Sequence, residues 1–402
     1  MDFSEVRADF PTMRKGGGVY LDSACQSLRP DSVIRAIVEY YESFPGCGGR
    51  SVHGMSARVS AEVDETREAL ASFFGTRDPC CYAFTRNATE GINAVASGFG
   101  LRRGDAVLTT DMEHNSNHVP WLRLSETMGV ERRYAESGPG WEFDMESFKA
   151  AMDRRVKLVS VHHASNVTGR VLPVKAIAEV AHDLGAAVLV DGAQAAPHMR
   201  VDLGRLGADF YCLSMHKMLG PSGMGVLYGE RERLEALSPL CVGGGTVGMA
   251  TYGRADPAPL PDRLEAGLQN YSGIAGTRAA LEYLSRVGMD GVEARDRELM
   301  RLIFKETEDV RGLEVVGSPD PDERLGAFSF NIGGLSPHDV AIMLDRMDGI
   351  MIRSGMHCAH PMYAARGLEG SSRASTYLYN DHGDVRRLAS ALRKISEAFG
   401  DR

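Results

Sequence analysis

Between about residues 20 and 230, short apolar runs alternate with longer stretches of helical period. The runs are AVLTT (106–110), KLVSVHH (157–163), AAVLVD (186–191), DFYCLS (209–214) and GVLYG (225–229). Between them, VKAIAEVAHDL (174–184), which follows Pro173, and residues 60–74 read as amphipathic helices. Such alternation predicts strand–helix units on a mostly parallel sheet. After about residue 235 the texture changes. A Gly- and Pro-rich stretch (VGGGTVGM, then DPAPLPD) leads into one long helical pattern from Gly273 to about Arg311, and short strands and helices follow. A second, smaller domain is expected there.

Composition agrees with two domains, since 402 residues exceed what one hydrophobic core usually organises. Hydrophobic residues at 43% and charged residues at 25% are ordinary globular usage. The formal charge of -9, with Lys and Arg interspersed among Asp and Glu, leaves no basic stripe for a nucleic-acid backbone. The start, MDFSEVRADFPTM, carries acids and a proline where a secretory signal needs a basic end and an apolar run. No apolar stretch is long enough to span a bilayer, so a cytoplasmic protein without membrane contact is expected. Seven cysteines, at 25, 47, 80, 81, 212, 241 and 358, fit neither a disulfide framework nor the paired spacing of a zinc site, and no metal is expected.

Asp191 opens DGAQ at the end of an apolar run, where ligands gather in open α/β sheets. Alone, an acid there is commonly a helix cap. Lys217, in SMHK followed by GPSGMG, ends another such run, and alone would be a solvated lysine. Together they match the needs of pyridoxal phosphate (PLP): an amine for an imine link, a carboxylate for the pyridine nitrogen, and phosphate donors, which Ser214 and His216 can supply. GPSGMG lacks the glycine spacing and the position of a dinucleotide fingerprint. NATEGIN (87–93) opens a helical segment, so Thr89 and nearby amides form either a phosphate cradle or a plain cap. In EHNSN (113–117), His114 offers a flat ring for stacking. Cys358 lies in IRSGMHCAHP beside His357, with Arg353 upstream and Arg373 downstream, neighbours that favour a reactive thiolate; the alternative is a structural cysteine in a turn. Of the seven cysteines, only Cys358 shows such neighbours in the sequence.

The motifs YLDSACQSLRP, NATEGIN, EHNSN with VPW, ASNVTG, VDGAQ, SMHK with GPSG, EAGLQN, IRSGMHCA and SRAS follow one another along nearly the whole chain. In this order the chain resembles the class V, aspartate-aminotransferase-like PLP enzymes, and among them the group II cysteine desulfurases and selenocysteine lyases. The resemblance implies the type I fold of PLP-dependent transferases, an α/β fold with a large domain on a mostly parallel sheet and a smaller α+β C-terminal domain. It divides the chain into an N-terminal segment (1–20) packing on the small domain, a PLP-binding domain (21–270) and a small domain (271–402) carrying Cys358 and Arg373.

For the site, the resemblance implies that Lys217 forms the imine with PLP, Asp191 pairs with the pyridinium, Gln194 bonds the phenolic oxygen and His114 stacks on the ring. Ala88, Thr89, Ser214 and His216 would lie at the phosphate. Asn166 and Arg373 would bind the substrate carboxylate with Arg353 nearby, His53 would line the pocket, and Cys358 would accept sulfur from L-cysteine as a persulfide. A homodimer, a sulfur-acceptor protein and a link to iron-sulfur cluster assembly are further implications. The sequence departs from the family at Leu268, where many relatives have threonine, at Met356, which replaces a histidine, and at Ala88, which replaces a hydroxyl. The alternatives are a selenocysteine lyase acting on L-selenocysteine, a cysteine lyase, another class V aminotransferase or epimerase, or an inactive binding subunit of a sulfur-transfer assembly.

Overall fold

The structure, a computed structural model, describes residues 3–16 and 18–399. Seven strands form one sheet in the order Tyr82–Thr85, Gly225–Gly229, Phe210–Ser214, Ala187–Asp191, Val156–His162, Ala106–Thr110 and Glu131–Ala135. Gly225–Gly229 is antiparallel to both neighbours, and the other pairings are parallel. The central strands are buried on both faces, which is why they read as continuous apolar runs rather than alternating ones. Helices cover them: Val174–Asp183 turns Val174, Ile177, Ala178 and Ala181 inward, the spacing of a single helical face.

The parallel strands end on one edge of the sheet, where His162, Asp191 and Ser214 are the last residues of three neighbouring strands. Glycine is required just beyond them. A Cβ on Gly192 would lie 1.9 Å from the Tyr211 ring, and one on Gly225 would lie 2.4 Å from the Asn87 backbone. These close approaches let the chain turn out of the sheet and bring the start of helix Ala88–Gly98 against the same edge.

A second, antiparallel sheet runs in the order Leu313–Val315, Ala327–Ile332, Ser371–Ser375 and Arg353–Gly355. Its core joins Phe328, Phe330, Leu344, Leu388 and Leu392. Val19–Tyr20 pairs in parallel with Ile350–Met351, and Asp22 bridges to Ser375, so the chain passes beside this smaller sheet before entering the crevice.

Two features differ from the pattern in the sequence. The long helical stretch is two helices, Tyr271–Val287 and Met289–Thr307, separated at Gly288, whose φ of 84° an α-helix cannot continue through. The first of these packs on helices Asp31–Ser43 and Gly54–Phe73 within the larger core. The Gly- and Pro-rich stretch holds a hairpin of Val247–Ala250 and Ala255–Pro257, mostly exposed.

Candidate active site

The strand ends, the start of helix Ala88–Gly98 and the 22–25 segment enclose a cavity of about 240 Å³. Ala88, Thr89, His114, Asn166, Asp191, Gln194, Ser214, His216, Lys217, Arg353 and Arg373, all singled out in the sequence, line it. They come from far-apart segments because the parallel topology returns each strand's carboxyl end to the same edge.

Asp191 is buried and Lys217 half-buried, and each favours the other's charge. Burial raises the Asp191 pKa, against the opposing effects of the Ala193 N–H (3.0 Å from Oδ1) and the Lys217 and His162 charges. Burial lowers the Lys217 pKa, with Asp191 opposing. A lysine so placed gives up its proton more readily than a solvated one, which suits an amine that attacks a carbonyl carbon.

At the other end of the cavity Ser214 Oγ accepts from the Ala88 N–H at 2.9 Å, and the Thr89 and Ser116 hydroxyls lie 2.7 Å apart. Asn87 caps the helix through the Glu90 N–H at 3.0 Å. With His216, these groups surround the helix N-terminus, a setting for a phosphate. His114 Nδ1 accepts from the Ser116 N–H at 3.1 Å. Burial, with Lys217, Arg353 and Arg373 adding to it, pushes the His114 ring down to about 3, so the ring is neutral near pH 7. Gln194 Nε2 donates to the Ala24 carbonyl at 2.8 Å.

Arg373 is buried on the small-sheet side, with Nη1 on the Asn166 carbonyl at 2.9 Å and Nη2 on Asp22 Oδ1 at 3.2 Å. Among the described residues its Nε has no hydrogen-bond partner, and neither does His162 Nε2. A carboxylate and an amine lining one cavity, with hydroxyls at a helix start, fit PLP, and the Arg373 guanidinium on the same lining suits an amino-acid carboxylate. No cluster of three or more potential metal ligands occurs among the described residues.

Cys358 does not line the cavity but lies beside it, its Sγ 3.5 Å from Arg353 Nη2. The Cys358 and His357 backbones have φ of 58° and 48°, a region that non-glycine residues seldom occupy. Two bonds hold them there: Asn115 N–H to the Cys358 carbonyl (2.6 Å) and Asn166 Nδ2 to the His357 carbonyl (2.7 Å). His53 stands apart from the cavity lining. It is exposed and caps helix Gly54–Phe73 by accepting from the Ser56 N–H.

Two titratable residues of the cavity were not singled out in the sequence. His162 ends the strand beside Asp191, with Nδ1 2.9 Å from Glu113 Oε1. Glu113 also accepts from Thr110 Oγ1 and Asn117 Nδ2, both at 2.7 Å. Cys25 lines the cavity with Lys217, Arg353 and Arg373, so Cys358 is not the sole cysteine with cationic neighbours. The signal for Cys25 was its place in YLDSACQSLRP, a segment whose approach to the site depends on contacts with the small sheet.

The chain belongs to the class-V aminotransferase family, whose model matches residues 19–388. Among its relatives are a probable cysteine desulfurase of Halalkalibacterium halodurans, 37% identical over 407 residues covering 100% of this chain and 99% of the relative. A cysteine desulfurase of Haloferax volcanii is 36% identical, covering 99% and 98% of the two chains. The apo structure of a cysteine desulfurase from Thermococcus onnurineus NA1 superposes with a TM-score of 0.94 at 33% identity, covering 98% of each chain.

Proposed function

We propose that this protein is a PLP-dependent cysteine desulfurase that converts L-cysteine to L-alanine and passes the sulfur to Cys358. The observation that carries the reading is the Lys217–Asp191 pair in one cavity with Cys358 beside it on Arg353, in a chain whose full-length relatives bear that activity in their names. Bound in the cavity, PLP supplies an electron sink for negative charge at the substrate Cα.

Lys217 Nζ would hold PLP and would move the Cα proton. Asp191 would hold positive charge at the ring nitrogen, Gln194 would serve the phenolic oxygen, His114 would lie at the ring, and Ala88, Thr89, Ser214 and His216 would hold the phosphate. Arg373 and Asn166 bind the substrate carboxylate, near Arg353. The Cys358 thiolate then attacks the substrate sulfur: a sulfur–sulfur bond forms, the Cβ–sulfur bond breaks, and protonation of the remaining fragment gives alanine. Arg353 Nη2 lies 3.5 Å from Sγ, where it can orient the attacking sulfur. His53 belongs to this reading as a pocket residue only in the assembled protein, since it lies away from the cavity of one chain.

The reading includes a division near residue 270 into a cofactor-holding part and a smaller part carrying Cys358 and Arg373. It also includes a homodimer, supported by the exposed Val242, Met249 and Tyr252 on and beside the hairpin, and by the exposed Leu268. A sulfur-acceptor protein would meet Cys358 at the cavity rim. No helix among the described residues is long and apolar enough to cross a membrane, and the cytoplasm is the proposed location.

The test is to mix the protein with L-cysteine and measure sulfide, alanine and pyruvate beside a Cys358→Ser variant of unchanged melting temperature. Alanine without pyruvate, lost in the variant, is the expected result. Undiminished alanine from the variant would remove the desulfurase reading. The variant is expected to keep a larger share of activity on L-selenocysteine, because selenium leaves carbon more readily than sulfur.

A further inference from the structure

Cys25 is fixed in place by both parts of the fold. Its own N–H bonds the Asp22 carbonyl at 3.1 Å, and the Ala24 N–H reaches Ser375 Oγ at 3.0 Å. Gln194 Nε2 holds the Ala24 carbonyl, and the Ser27 N–H donates to the His216 carbonyl at 2.9 Å. A half-buried thiol on a segment tied this closely is presented to the cavity rather than left to find it.

The wall it occupies is cationic. Lys217, Arg353 and Arg373 line the same cavity as Cys25. Arg353 connects the two thiols: it lines the cavity with Cys25 while its Nη2 contacts Cys358 Sγ. Burial works against the Arg353 charge, yet Cys25, Cys358 and Asp22 together raise its pKa, so both thiols lie within electrostatic reach of one guanidinium.

We propose that Cys25 is a second carrier of sulfane sulfur, loaded from Cys358. The inference rests on Cys358 being the first acceptor. The Cys25 thiolate attacks the outer sulfur of the Cys358 persulfide. The bond between Cys358 Sγ and that sulfur breaks, a bond from Cys25 Sγ to it forms, and Cys358 departs as a thiolate, recovering the proton that Cys25 gave up. One sulfur–sulfur bond replaces another, so no oxidant or reductant is consumed. Cys358 is thereby free for a second turnover before an acceptor arrives, and the chain stores two sulfurs instead of one.

The experiment uses the PLP-loaded protein with excess L-cysteine and no reducing agent, quenched by alkylation, with persulfides located by peptide mass spectrometry and the alanine burst counted per chain. Wild type should carry sulfur on both Cys358 and Cys25. The burst should fall about two-fold in Cys25→Ala, which retains sulfur on Cys358. In Cys358→Ser, Cys25 should carry none. Sulfur confined to Cys358 in wild type, with the same burst in Cys25→Ala, would overturn the relay and leave the desulfurase reading standing. Sulfur on Cys25 in Cys358→Ser would overturn the order of transfer. Absence of both alanine and persulfide from wild type would overturn the desulfurase reading itself, and the relay with it.

Discussion

His162 and Asp191 stand opposite one another in the parallel ladder between Val156–His162 and Ala187–Asp191, so their side chains emerge on the same face of the sheet. Burial works against charge on both His162 and Glu113. Their mutual attraction and hydrogen bond raise the His162 pKa, while His162, Thr110 and Asn117 lower that of Glu113. The result is a buried histidine that holds its proton more firmly than a solvated ring, next to the carboxylate that would serve the cofactor's ring nitrogen in the proposed reaction.

His162→Gln is therefore expected to weaken cofactor retention without removing any group that would touch the phosphate. Loss of one charge neighbour from Asp191 corresponds to an affinity change of about tenfold, or ~1.4 kcal/mol. Reconstitution of apoprotein with PLP measures it. An unchanged affinity would mean that Asp191 stays ionised without help from His162.

Arg373→Lys retains the charge but loses the planar fork that spans Asp22 and the Asn166 carbonyl. The expected outcome is a KM for L-cysteine raised about tenfold with kcat changed much less, the signature of lost ground-state binding. Steady-state kinetics alongside a melting curve separate this from unfolding. An equal fall in kcat at unaltered KM would place the substrate carboxylate elsewhere.

Acid should weaken the fold partly through His163, which is buried against the Tyr211 hydroxyl (Nδ1 to oxygen 3.1 Å). Burial, with a lesser contribution from His162, pushes its pKa down to about 4. The unfolded chain takes up this proton near pH 6.5 and the folded chain only near 4, so stability falls as pH drops through that window. The advantage of wild type over His163→Gln should shrink by at most about 2 kcal/mol between pH 7.5 and pH 5. Denaturant melts of both proteins at each pH provide the comparison, and a pH-independent difference would show that His163 contributes no linkage.

Charge on the hairpin should disperse the proposed dimer. Met249→Asp with Tyr252→Asp puts two acids on an exposed apolar surface that touches no core, so a single chain should melt much as before. Sedimentation is expected to show a shift from two chains to one. A double variant that remains dimeric would move the shared face away from the hairpin.

The large sheet was legible because its strands are buried on both faces and end in polar residues, a pattern that local sequence displays directly. Lys217, Asp191 and Thr89 were legible for the same reason, each sitting at the end of an apolar run. Gly288 was hidden within a continuous helical period, since periodicity alone does not register a residue whose φ breaks it. The hairpin at 247–257 was hidden because its strands are exposed and lack an apolar face. His162 looked like the tail of a strand, and only the ladder register puts it beside Asp191. Cys25 depended on contacts that its neighbour Ala24 makes to Ser375 and Gln194, 351 and 170 positions away, which no local pattern encodes.

The Cys358 loop grows from the small sheet at Gly355, yet its two carbonyls are moored to Asn115 and Asn166 on the large one. The thiol is carried by one half of the molecule and tethered by the other. Both tethers bear on residues at positive φ, one of which sets its sulfur against Arg353. The rate at which an alkylating reagent finds Cys358 is thus a gauge of how tightly the two halves are closed, legible from one atom at the seam.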